Sequence, residues 1–169
     1  MPSKLLIVAI AAWLGSAPVR GAQRNQWHLI RIPDPVARDA AISALESAAA
    51  RFEDSDCLKV LADFQTINGL TPADQLAAWG IDIQSYLTMV TFIDDSRHRL
   101  CEKGGLFFTS PGSRVVRVCV EQFKLVRHHS RGYLAALFIH EILHTLGLGE
   151  SPPSSEEITT RAMLRCGKK

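Results

Sequence analysis

Between Gly132 and Leu146 the sequence is apolar almost throughout, with its polar positions concentrated at His140, Glu141, His144 and Thr145. Gly147 follows where a helix stop belongs, so the run reads as a single helix ended by a glycine. A helix that is hydrophobic on most of its circumference is expected to be buried. Burial also puts a condition on Glu141. A carboxylate inside such a helix is expensive unless a partner or a task compensates for it.

The rest of the chain supplies elements that could surround that helix. Residues 36 to 53 place Val36, Ala40, Ile42, Leu45, Ala49 and Phe52 at mostly helical intervals, which predicts an amphipathic N-terminal helix. Leu58, Val60, Leu61 and Phe64 form a second apolar segment after the Asp54-Ser55-Asp56 break, either a new helix or a continuation. Thr71-Pro72-Ala73-Asp74 has the residues of a helix start, so a short helix is expected from Pro72 to about Trp79, ended by Gly80. Tyr86 to Ile93 is rich in β-branched and aromatic residues and is closed by Asp94-Asp95-Ser96, which reads as a buried strand. Leu106 to Thr109 and Arg114 to Val120 read as two more strands, joined in a hairpin through Ser110-Pro111-Gly112-Ser113. Ser154 and Glu157 have capping-box spacing and predict a terminal helix running towards Cys166. Helices, then strands, then helix suggest one small α+β domain with a mixed sheet.

Residues 1 to 22 differ from the remainder. Lys4, the apolar run Leu5 to Leu14 and the small residues from Gly15 to Ala22 have the layout of a signal peptide, with cleavage expected after Gly21 or Ala22. The apolar run is shorter than the roughly 20 residues needed to span a bilayer, so no membrane anchor is expected. The mature domain is then 23–169, in a periplasm or outside the cell. Cleavage would remove Lys4 and Arg20 from the 19 basic side chains and none of the 17 acids, leaving a formally neutral chain. Without a basic surplus there is no electrostatic reason to expect nucleic acid or anionic lipid as a partner. The 4 cysteines, Cys57, Cys101, Cys119 and Cys166, lack any C-x-x-C pair and are read as two structural disulfides of open pairing.

Four residues apart on a helix, His140 and His144 project from one face and can offer two imidazole nitrogens to one ion about 2 Å away. Glu141 points about 100° round the helix, outside the ligand shell but beside the place left open for water. Zinc lowers the pKa of such a water to about 7, and an adjacent carboxylate can take its proton as a carbonyl carbon is attacked. A catalytic zinc commonly has three protein ligands. Gly147 allows a sharp turn, after which Glu150 can return to the ion; Glu156 and Glu157 compete with it but fit the first turn of the terminal helix. His128 and His129 precede the central helix and read as solvated loop residues. Tyr86 and Tyr133 are the only phenols that could stabilise an oxyanion, and neither lies downstream of the histidine pair. Trp27 and Trp79 read as core or cleft-wall residues.

Residues 140 to 150, His-Glu-x-x-His-x-x-Gly-x-x-Glu, resemble the zincin superfamily of metallopeptidases, and the glycine spacing is similar to its metzincin branch. The resemblance implies a zincin-like domain with one catalytic Zn2+ held by His140, His144 and Glu150. It also implies Glu141 as general base and a peptide or protein substrate laid along a sheet edge, for which Arg114 to Val120 is the expected strand. The branch pattern ends in histidine or aspartate where this chain has Glu150, and Met163, the only downstream methionine for a turn beneath the metal, falls in an expected helix. The function expected is therefore that of an exported zinc peptidase. The alternatives are a disulfide-stapled binding module with a structural zinc, and an amidase acting on cell-wall peptides.

Overall fold

The computed structural model describes residues 29–167, so residues 1–22, expected to be a signal peptide, and Trp27 lie outside it. It is an α+β fold in which the central helix is sandwiched between other helices and a mixed four-stranded sheet. The chain opens with β1 (Ile30–Arg31) and enters α1 (Pro35–Arg51), where Asp34 accepts a hydrogen bond from the Ala37 amide at 2.8 Å and a proline occupies the first turn. The buried face of α1 is built from Ala37, Ala41, Ala44, Leu45 and Ala48. Small side chains there let a neighbouring helix approach closely.

Next come α2 (Ser55–Leu58) with a 3-10 turn (Lys59–Ala62), then α3 (Pro72–Trp79) and α4 (Ile83–Leu87). Helix α3 starts on a reciprocal Thr71–Asp74 capping box and stops at Gly80, whose φ of 66° is left-handed. The sheet strands are β2 (Thr91–Asp94), β3 (Phe107–Phe108) and β4 (Val115–Val118), with the short helix α5 (Arg99–Glu102) between β2 and β3. Helices α6 (Val120–Val126), α7 (Arg131–Thr145) and α8 (Ser155–Cys166) complete the chain.

Strand order is β1-β2-β4-β3, with β1, β2 and β4 parallel and β3 antiparallel to β4. Helix α7 packs on α1, α8 and β4. From Leu134 to Thr145 all its residues except Leu137 are buried, as the unbroken apolar run requires. Phe138 anchors the helix to the sheet, stacked at 5.1 Å on Phe92 and edge-on at 5.3 Å to Phe107. Two disulfides close the frame. Cys57–Cys166 ties α2 to the end of α8, and Cys101–Cys119 ties α5 to the start of α6.

Three expectations are corrected. Tyr86 and Leu87 are helical rather than extended: Asp82 caps α4 by accepting from the Ser85 amide at 2.6 Å, and the helical turn sends the Tyr86 hydroxyl inward to the Thr145 carbonyl at 2.9 Å. Pairing begins only at Thr91. The strand within Arg114 to Val120 is not an edge, because β4 is paired on both sides, with β2 and with β3. Among the described residues, the free edge beside it belongs to β3. The described chain also opens with a strand before its first helix, since β1 adds to β2 in parallel through Ile30 and Phe92.

Candidate metal centre

Helix α7 starts on Ser130, whose side chain accepts from the Tyr133 amide, and ends at Leu146. Its last two turns carry His140, Glu141 and His144. Gly147 follows with φ at 101°, a conformation that side-chain-bearing residues rarely adopt, and turns the chain back along the helix. The turn brings Glu150 onto the two imidazoles: its Oε1 lies 3.1 Å from His144 Nε2 and 3.4 Å from His140 Nε2. The two Nε2 atoms are themselves 2.9 Å apart.

The remaining ring nitrogens are committed elsewhere. His144 Nδ1 lies 2.7 Å from the Leu148 carbonyl oxygen, which can only accept, so Nδ1 carries the proton and Nε2 presents a lone pair. His140 Nδ1 lies 2.8 Å from Thr159 Oγ1 on α8. Donation from Nδ1 to that hydroxyl leaves the second Nε2 lone pair facing the first. Burial pushes the His140 imidazole down to about 4, His144 pushes it the same way and Glu150 opposes both, so this ring is neutral at physiological pH. Two lone pairs and a carboxylate oxygen converge on one point, an arrangement that repels itself unless a cation lies between them. Ligands at about 2.0–2.1 Å from a tetrahedral ion stand about 3.3 Å from one another, close to the spacings found here. His140, His144 and Glu150 thus form a group that could hold a metal ion.

Glu150 is on the rim, its side chain 51% exposed. Partial burial raises its pKa, but attraction to His144 and His140 in their protonated forms and a hydrogen bond from Ser155 outweigh this and hold the carboxyl below its ordinary value. Glu141 stands in the opposite condition. Buried, with Oε2 lacking any hydrogen-bond partner among the described residues, its carboxyl is pushed up to about 8 by desolvation and then by Glu150, against a smaller pull from the Thr109 hydroxyl. A divalent cation at the three donors would offset both causes.

All four residues line one cleft of about 470 Å³. Its opposite wall is formed by the β3 edge and its flanks, including Phe107, Phe108 and Thr109, with Leu100 and Lys103 from the α5 rim. Gly112 of the β3–β4 turn donates to the His144 carbonyl at 2.9 Å, which fixes the hairpin against the end of α7 and sets the cleft's width.

Other residues singled out in the sequence stand apart from the cluster. Glu157 completes a capping box with Ser154 at the start of α8, and Glu156 is exposed. Tyr86 is buried with its hydroxyl on Thr145, while the His129 ring rests 5.3 Å from Tyr133; none of these, nor His128, is among the cleft-lining residues. Trp79 stacks on Tyr86 at 5.7 Å. Met163 lies inside α8. Thr159, Leu148 and Thr109 were not anticipated, and nothing local in the sequence marks them, because only tertiary packing brings them to the histidines and to Glu141.

A scan against protein-family models and searches of curated proteins and of solved structures find no match to this chain. Among the described residues no helix is long and apolar enough to cross a membrane.

Proposed function

We propose that this chain is an exported zinc peptidase of zincin-like fold, with His140, His144 and Glu150 as metal ligands and Glu141 as general base. The observation that carries the reading is the convergence of two Nε2 atoms and one carboxylate oxygen beside a buried carboxylate that lines the same cleft. Two N donors and one O donor at these spacings suit Zn2+, which lowers the pKa of a water molecule and polarises a carbonyl when bound at three protein ligands. The chain's residues do the rest. Leu148 and Thr159 fix the tautomers, Glu150 supplies negative charge from the rim, and Glu141 Oε2 accepts a proton from water and passes it to the departing amine.

A peptide substrate would lie along β3, whose outer edge is unpaired among the described residues and flanks the cleft, in place of the strand expected from the sequence. Export is supported by the two disulfides, which persist in oxidising compartments. A structural zinc site would call for four protein ligands, and the group found among the described residues has three.

Metal analysis paired with peptide hydrolysis tests the reading on the wild type and Glu141→Gln. The variant should hold stoichiometric zinc and turn over about 10²- to 10⁴-fold more slowly. Substoichiometric zinc under saturating supply, or an unimpaired variant, overturns it.

A further inference from the structure

We propose that the α5 rim makes the cleft selective for peptides that present a carboxylate, with Lys103 as the specificity-determining cation; this rests on the peptidase reading above. The sequence read without residues 1–22 is neutral, yet the stretch from Arg97 to Lys103 carries Arg97, Arg99 and Lys103 against the single acid Glu102. Those charges are sorted by direction. Lys103 lines the metal-bearing cleft, whereas Glu102 lines a separate hollow with Cys119, Glu121 and Gln122.

Among the described residues, Lys103 is the only lysine or arginine lining the cleft. The ion pairs found among the described residues use Lys59, Lys124, Arg117, Arg161 and Arg165, and none of the three rim cations. At the floor, Glu141 and Glu150 together balance a divalent ion, so the ammonium on the rim leaves the loaded cleft net positive. A cleft of one sign raises the local concentration of ligands of the other.

The rim is also held in place before any ligand arrives. Cys101 is bonded to Cys119, and its carbonyl accepts from Gln122 Nε2 at 2.9 Å. Lys103 closes α5 with its amide 3.2 Å from the Leu100 carbonyl. Directly after it, Gly104 has φ at 87°, and a Cβ on Gly105 would meet the Leu100 carbonyl oxygen at 2.9 Å. Only glycines allow this abrupt return from α5 into β3, and the return is what keeps Lys103 over the cleft. A charge on a fixed rim loses less freedom on binding than one on a free loop.

The carboxylate could be an acidic side chain or the free C-terminus of the peptide, and binding measurements on the zinc-loaded Glu141→Gln protein separate the two. Three peptides of one length are compared: a neutral one amidated at its end, the same with glutamates and an amidated end, and the neutral one with a free terminus. At least one carboxylate peptide should bind about fivefold more tightly than the neutral one at low salt, an advantage that shrinks as salt rises. Because Glu141→Gln leaves one floor charge uncompensated, Lys103→Ala should shrink the advantage and Lys103→Glu abolish it; Lys103 is exposed, so both variants are expected to fold. Equal affinities, or a preference undiminished by Lys103→Ala, overturn the assignment while leaving the peptidase reading intact. Absence of binding in every arm, with zinc stoichiometric, overturns both.

Discussion

Thr159 Oγ1 stands 2.8 Å from His140 Nδ1, so the terminal helix aims the first imidazole of the central one. The second imidazole is aimed from its own loop, through the Leu148 carbonyl. The two imidazoles therefore depend on different parts of the fold. His144 needs the turn at Gly147, and His140 needs α8 in its place.

Replacing Thr159 by valine keeps the side chain's shape and removes the oxygen that accepts from Nδ1. Outer partners of metal-binding histidines are commonly worth 10- to 100-fold in metal affinity, and a loss in that range is expected here. Chelator competition for zinc measures it, with Thr160→Val as a control because Thr160 is exposed on the same helix. Equal zinc affinity in the two variants would mean that Thr159 does not orient the ring.

Much of this arrangement is written locally. The apolar run fixes α7, the two reciprocal boxes fix the starts of α3 and α8, and the turn residues 110 to 113 fix the hairpin. Where the local signal misleads, a tertiary contact is responsible. Tyr86 has strand-forming neighbours, but its hydroxyl reaches the end of α7 only from a helical turn. Helices α5 and α6 are short and follow strand-like residues, so no apolar period stands out. The sheet order is likewise not local. It depends on parallel crossovers that place β4 inside the sheet and leave β3 at the edge. Glu150 is legible through its spacing after Gly147, whereas Thr159 carries no mark of its role.

Gly147→Ala tests the turn. At φ of 101° an added methyl group is strained by the backbone itself, even though the nearest atoms, on Thr66, would lie at an ordinary 3.5 Å. A destabilisation of about 1–2 kcal/mol is expected, together with weaker zinc binding because Glu150 lies beyond the turn. Urea titration and chelator competition on one preparation report the two effects. Loss of stability with unchanged zinc affinity would show that Glu150 reaches the ion independently of this turn, or does not reach it.

Acid should release α8 through Asp63. The Arg165 guanidinium grips this carboxylate with two hydrogen bonds of 2.9 Å, and Arg161 approaches to 3.4 Å. The Arg165 hydrogen bonds hold the Asp63 carboxyl below its ordinary value, outweighing the opposing effect of burial. A folded-state pKa below the unfolded value of about 3.9 means that the ion pair stabilises the fold fully above that value. Its contribution fades as the pH falls from there through the lower folded value. Asp63→Asn should therefore lose about 1–3 kcal/mol near neutral pH, less at high salt because Arg165 is about one-third exposed, and the gap from wild type should close in strong acid. Urea midpoints across the acid range measure it. A gap that persists undiminished in strong acid would assign the loss to packing rather than to the charge on Asp63.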